Sequence, residues 1–159
     1  MKIRVGMGFD VHQLEEGRDF YLGGIKLPSG KGAVGHSDAD VLIHAICDAL
    51  LGAANMRDIG FHFSNKDDRW KGMDSKFFLK TVTEMLSKEG WQIENVDCTI
   101  TLEKPKVNPH IEEMKKILAP LMNVTEGDVS IKATTNETLG YVGRQEGVNA
   151  YAVALISKK

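Results

Sequence analysis

The chemistry open to this chain rests on a few short constellations of carboxylates, imidazoles, hydroxyls and glycines. One is Asp10-Val11-His12. Residues two apart on extended backbone point the same way, so a carboxylate and an imidazole there can converge on one ion. Another is Asp40, His44 and Asp48, a ladder at i, i+4 and i+8 on one face of an otherwise apolar helix. An imidazole between two carboxylates is a common way to hold a zinc ligand, with one nitrogen on the metal and the other donating to a carboxylate. Asp10, His12 and His44 together supply three N/O donors, and three protein ligands plus an open position is the pattern of catalytic zinc. The same residues also read as a solvated turn and as a polar stripe on a helix. On spacing alone both readings stay open.

Other segments could serve an anion. Gly35-His36-Ser37-Asp38 reads as the start of the helix that carries His44, where free N–H groups and the positive dipole end favour negative charge. Lys132-Ala133-Thr134-Thr135-Asn136-Glu137 leaves a strand for a loop that contains Tyr141 and Arg144 among glycines. Hydroxyls, a carboxylate and an arginine there suit phosphate oxygens and a Mg²⁺ ion. Glu103-Lys104-Pro105-Lys106 ends an alternating strand and could meet a base through its backbone. Each of these also reads as an ordinary cap, turn or strand end.

The elements that must position these groups follow from periodicity. Residues 1–9 read as a strand, 20–28 as a hairpin or edge strand, and 29–35 as a glycine-rich loop. Ser37 reads as an N-cap with Asp38 and Asp40 in the first turn, for a helix running to about Ala54. A long mixed-charge loop over 55–73 reads as functional, followed by a helix from Ser75 to Glu89 that stops at Gly90. Residues 96–102 alternate as a strand, Pro109 opens a third helix, 129–133 alternate again, and 148–156 close the chain as a strand after the glycine loop 134–147. This order predicts one α/β domain spanning 1–159. Its single layer is a mixed sheet of about four main strands with helices on one face.

Composition excludes several classes. Twenty Lys and Arg against 22 Asp and Glu leave a net charge of −2, which gives no global attraction to nucleic acid or anionic lipid. No apolar run approaches the ~20 residues that span a bilayer. Met1 to Val5 pass into a strand pattern rather than a signal peptide, and Cys47 and Cys98 form neither a disulfide framework nor a CxxC site. A soluble, cytoplasmic protein with a local phosphate site is the expectation.

Taken in register, these segments resemble the 2-C-methyl-D-erythritol 2,4-cyclodiphosphate synthase family. The resemblance is carried by Gly8-Phe9-Asp10-Val11-His12, Gly35-His36-Ser37-Asp38-Ala39-Asp40-Val41 with His44, Asp48-Ala49-Leu50-Leu51-Gly52-Ala53, Asp58-Ile59-Gly60, Lys132-Ala133-Thr134-Thr135, and Gly140-Tyr141-Val142-Gly143-Arg144-Gln145-Glu146-Gly147. It runs nearly end to end. It implies a homotrimer with active sites between subunits, acting on a cytidine diphosphate derivative of methylerythritol phosphate and releasing CMP. Zinc would sit on Asp10, His12 and His44, with Asp10, Val11 and His12 also in the substrate site. His36 and Ser37 would meet the substrate phosphate, with His36 and Thr135 as catalytic stabilisers. Asp58, Ile59 and Gly60 would bind the methylerythritol unit, and a flexible loop of Phe63, Ser64, Asn65, Lys66 and Asp67 would close over it. Leu102, Glu103, Lys104, Pro105, Lys106, Val107 and Asn108, with Thr134, Thr135, Asn136 and Glu137, would hold cytidine and its diphosphate. Glu137 would carry a second ion, Mg²⁺ or Mn²⁺. Tyr141 and Arg144 match further substrate positions, and Arg144 and Glu146 an axial cavity for an isoprenoid diphosphate.

The chain departs from the family where Phe63-Ser64-Asn65 replaces Phe-Pro-Asp, where Asn136 replaces threonine and where Tyr141 replaces phenylalanine. Two other readings compete: a metal phosphohydrolase acting on nucleotides, and a trimeric sensor of isoprenoid diphosphates that keeps zinc for assembly.

Overall fold

The computed structural model describes all 159 residues. Strand β1 covers Lys2–Glu16, β2 Phe20–Leu22, β3 Ile25–Leu27 and β4 Lys31–Ala33, followed by helix α1 over Val41–Ala54. Short α2 (Ile59–His62) and a 3₁₀ turn (Asp68–Trp70) divide the segment expected to be a plain loop, and α3 runs from Ser75 to Lys88. Then come β5 (Gln92–Thr101), α4 (Ile111–Leu121), β6 (Val129–Thr134), one-turn α5 (Gly140–Gly143) and β7 (Gly147–Lys158). No helix is long and apolar enough to cross a membrane.

The main sheet has the order β4-β1-β7-β5-β6, with β2 and β3 paired as a separate hairpin. Its four long strands are those expected, and the glycine-rich loop adds the short β4 at one edge. Only the β5–β6 pair is parallel. Asp10, Ala150, Ile100 and Ala133 therefore share one row across four strands. At ~4.8 Å per strand step, the two ends of that row lie about 14 Å apart.

Two sequence expectations need correction. β1 extends well beyond residue 9, because its ladder with β7 continues to Gln13↔Gly147 and then passes to β4 at Leu14↔Ala33. Asp10 and His12 therefore lie within the strand rather than after it. The N-cap of α1 is Asp40, not Ser37: its side chain accepts from the Ile43 N–H, and Ala39 just before it has φ +58. That left-handed residue breaks the helix ahead of the cap.

The helices cover one face of the sheet. On β1, Gly6 and Gly8 are buried beneath α1, while Ile3, Val5, Met7, Phe9 and Val11 point to the other face and are exposed. Tyr151 and Val153 extend this open apolar face onto β7, and the rings of Phe9 and Tyr151 lie 5.0 Å apart. A Cβ on Gly8 would stand 1.9 Å from the Ala45 carbonyl oxygen, and one on Gly6 2.0 Å from that of Ala49. The absence of side chains here lets α1 lie directly against β1. That close approach brings His44 to Asp10 and His12.

Candidate active site

The alternation of β1 turns Asp10 and His12 toward the helix layer, while His44 reaches them from the first turns of α1. Asp10 Oδ2 lies 2.9 Å from His12 Nε2 and 3.0 Å from His44 Nδ1, and the two nitrogens are 3.3 Å apart. All three donor atoms fall within 4.8 Å of one another. His12 Nδ1 donates to the Val34 carbonyl at 2.8 Å, so the proton of the neutral ring sits there and Nε2 turns a lone pair inward. Lone pairs on atoms this close repel one another, and a cation between them relieves the repulsion. A divalent ion with nitrogen and oxygen ligands fits, and the set leaves a coordination position open.

Electrostatics agree with a site that binds positive charge. Burial pushes the Asp10 carboxyl up, but hydrogen bonds and charge from His12 and His44 outweigh it and hold it at about 2. Burial pulls the His12 imidazole down, yet its hydrogen bond and charge pairing with Asp10 leave it raised. Asp10 thus favours the charged form of the His12 ring.

The expected role of Asp40 and Asp48 as partners of the imidazole needs correction, because tertiary contacts claim both. Asp40 is fully buried and accepts from Gly23 N (2.9 Å) and Gly24 N (2.7 Å), tying the hairpin turn to α1. Burial raises its carboxyl, the Asp38 charge adds to this, and the backbone donors oppose it. Asp48 accepts from Ile59 N at 2.7 Å and so anchors α2. The outer nitrogen of His44 meets hydroxyls instead: Ser75 Oγ at 2.8 Å and Ser37 Oγ at 3.3 Å. Sequence reasoning missed Ser75, since nothing local links residues 31 apart.

The donor triad forms one wall of a cleft of about 430 Å³ that is also lined by His36, Ser37, Ile59, Gly60, Phe63, Asn65, Trp70 and Phe78. The anion cradle is a loop and not a helix end. Its backbone amides at Gly35, His36 and Ser37 donate to nothing within the chain and are available to an acceptor in the cleft. His36 Nε2 donates to the Asp67 carbonyl at 3.0 Å. The 63–67 segment is anchored at its start, where Phe63 packs 4.7 Å from Phe78 and 5.4 Å from Trp70 between ring centres. Further along, Ser64 Oγ accepts from Lys66 N, and the Asp67 carboxylate pairs with Arg69. Asp58 is the exposed N-cap residue of α2, and the Val11 side chain faces away onto the open face.

A second, smaller cleft of about 140 Å³ lies between the ends of β5 and β6, lined by Leu102, Pro105, Lys106, Val107, Asn108, Ala133, Thr134 and Thr135. Glu103 does not line it; its carboxylate accepts from Asn136 N (2.8 Å) and Thr138 N (3.4 Å), clamping the two loops together. Glu137 is exposed at φ +51, with its carboxylate 3.3 Å from Thr135 Oγ1. Lys104 lines a different surface hollow with Lys31. The Tyr141 hydroxyl donates to Asn149 Oδ1, and Arg144 pairs with Glu146 at 3.0 Å. The two clefts share no lining residue.

Residues 3–157 match the model of the YgbB family. The 2-C-methyl-D-erythritol 2,4-cyclodiphosphate synthase of Cytophaga hutchinsonii is 68% identical over 158 residues, covering 99% of each chain. The protein of the same name from Bacteroides fragilis is 58% identical over the same length. A 2C-methyl-D-erythritol-2,4-cyclodiphosphate synthase solved in its CDP-bound form superposes with a TM-score of 0.89 at 37% identity, over 97% of this chain and 100% of the other. The bifunctional IspDF of Campylobacter jejuni gives a TM-score of 0.95 at 33% identity, and the match spans 99% of this chain but 43% of that one.

Proposed function

The chain belongs to the YgbB family, and we propose that it is a 2-C-methyl-D-erythritol 2,4-cyclodiphosphate synthase of isoprenoid precursor synthesis. It converts 4-diphosphocytidyl-2-C-methyl-D-erythritol 2-phosphate to the cyclic diphosphate and CMP, with residues 1–159 acting as one domain. The carrying observation is the convergence of Asp10, His12 and His44 on the wall of a cleft that also offers three free amides.

The reaction is intramolecular. An oxygen of the 2-phosphate bonds to the β-phosphorus, the bond from that phosphorus to the bridging oxygen breaks, and CMP leaves with the electron pair. A phosphate is already anionic near neutral pH, so the chain needs no general base and acts by placing groups and balancing charge. The amides of Gly35, His36 and Ser37 face the phosphate oxygens, with the His36 ring beside them, its Nε2–H exchanging the Asp67 carbonyl for a phosphate oxygen. Ile59, Phe63, Trp70 and Phe78 supply an apolar wall for the carbon skeleton and exclude water, with Asp58 and Gly60 at its hydroxyls. Thr134, Thr135 and Asn136 hold the diphosphate, and the Leu102–Asn108 stretch holds the base. Asp10, His12 and His44 would hold a zinc ion, which would supply Lewis-acid chemistry at the phosphoryl group. Glu137 would hold a Mg²⁺ or Mn²⁺ ion, which would supply positive charge beside the diphosphate.

A homotrimer accounts for the separation of the two clefts, because the β5–β6 cleft of one copy can complete the metal cleft of the next. The exposed apolar stripe of β1 and β7 supports this: contiguous apolar surface of that kind marks an interface. Arg144 and Glu146 would then stand near the axis, where an isoprenoid diphosphate could bind. The two buried, unbridged cysteines support a cytoplasmic setting.

Phosphorus NMR of the reaction mixture, with metal analysis of the purified protein, tests the assignment. Cyclic diphosphate plus CMP, with one zinc per chain, is the expected outcome. A ring-opened phosphate would make the protein a phosphohydrolase, and full turnover of zinc-free protein would remove the metal from the chemistry.

A further inference from the structure

We propose that Ser75, backed by Asp38, is a positioning residue that fixes the proton of His44 on its outer nitrogen and so presents the inner one bare to the metal. The proposal rests on the reading that Asp10, His12 and His44 hold a divalent ion. Ser75 opens α3 and is fully buried. Its hydroxyl donates to Asp38 Oδ1, and its backbone N–H donates to Asp38 Oδ2 at 3.0 Å. A carboxylate can only accept, so the single hydroxyl proton of Ser75 is committed to Asp38. What Ser75 offers His44 Nε2, 2.8 Å away, is then a lone pair. The imidazole proton must sit on Nε2, which leaves Nδ1 bare, 3.0 Å from Asp10 Oδ2 and 3.3 Å from His12 Nε2.

The two histidines thus reach the same state by different means. His12 spends its proton on a strand-edge carbonyl, Val34 O, while His44 needs a hydroxyl held in one sense by a carboxylate. Ser37 Oγ is a weaker candidate for the task, since it stands 3.3 Å from Nε2. The chain also explains why a buried serine begins α3. The same residue that ties the helix start to Asp38 aims a ligand carried by α1.

The test is the tautomer of His44 in metal-free, ¹⁵N-histidine-labelled protein at alkaline pH, together with zinc affinity by chelator competition. Wild type should show Nε2–H with Nδ1 bare. Ser75→Ala should mix the tautomers and weaken zinc about 10- to 100-fold, the usual cost of losing a partner behind a metal-bound histidine. Ser75→Thr, which keeps the hydroxyl, should restore both. Asp38→Asn supplies an independent arm should Ser75→Ala not fold. If its oxygen keeps the Ser75 N–H, its NH₂ faces Ser75 Oγ, reverses the proton chain and drives the proton onto Nδ1. Unchanged tautomer and affinity in Ser75→Ala, or in Asp38→Asn, would overturn the proposal. A wild type that binds no zinc would sink the metal reading instead, and the tautomer would still decide the relay.

Discussion

The two clefts of this chain are built to different standards. Around Asp10, His12 and His44, each donor nitrogen or oxygen has a defined partner, and the glycines under α1 fix how closely helix and strand approach. The cleft between β5 and β6 is a third of the volume and is rimmed by exposed groups such as Lys106 and Thr134. Its two loops are joined by one carboxylate, Glu103. The contrast teaches that one chain can preorganise a donor cluster able to hold a metal ion, while the cleft between β5 and β6 is small and open at its rim.

Removing a donor should break the comparison most severely. Asp10→Ala or His44→Ala should abolish zinc binding and cut cyclisation about 1,000-fold or more, since Lewis-acid polarisation contributes several kcal/mol. Circular dichroism and sedimentation should still report a folded assembly. Next in size is Gly8→Ala, whose Cβ would stand 1.9 Å from a helix carbonyl. Overpacking of that kind should cost about 1–3 kcal/mol and lower zinc affinity as α1 is pushed outward. Gly30→Ala, with nothing within 4 Å of the added carbon, should leave both thermal stability and zinc titration unchanged.

The nucleotide side should respond on its own. Glu103→Ala leaves the Asn136 and Thr138 amides unpaired, and hydrogen bonds to a charged group are worth about 1.5–3 kcal/mol each. KM for the cytidine substrate should rise about tenfold while zinc binding stays at the wild-type value. A parallel loss of zinc would show that the clefts are not independent.

The smallest effect is a crossing of pH trends. Asp10 is held at about 2 against an ordinary 3.8, so its contribution to stability is present above 3.8 and lost as pH falls toward 2. His12 is raised above its ordinary 6.5, so its contribution is complete below 6.5 and lost as pH rises through the raised value. The metal-free protein should therefore melt at lower temperature as pH climbs above 6.5. The zinc-loaded protein should show the opposite trend, because protons compete with the ion for His12. Parallel melting curves for the two forms would contradict this account of the triad.

Much of the metal side was legible in the sequence. The period of a strand puts Asp10 and His12 on one face, and the helical pattern around His44 supplies the third donor. The errors came from partners distant in sequence. Asp40 and Asp48 read as flanking carboxylates of the imidazole, but Gly23, Gly24 and Ile59 claim them. Ser37 read as a cap because serine commonly caps, and nothing in the residue type reveals that Ala39 turns left-handed. The length of β1 was hidden because residues 10–16 are mostly polar, and only their pairing with β7 and β4 shows that the strand continues through them. Ser75 was out of reach for the same reason: its meaning depends on Asp38 and His44, both on other elements.

Along β1, side chains placed to hold a cation alternate one by one with side chains that crowd the bare face, so Phe9 and Val11 share a backbone with Asp10 and His12. Force applied to one side of that ribbon is felt on the other. Loosening the packing of Phe9 against Tyr151 would let Asp10 and His12 splay. The geometry of the donors on one face is thus set in part by packing on the other.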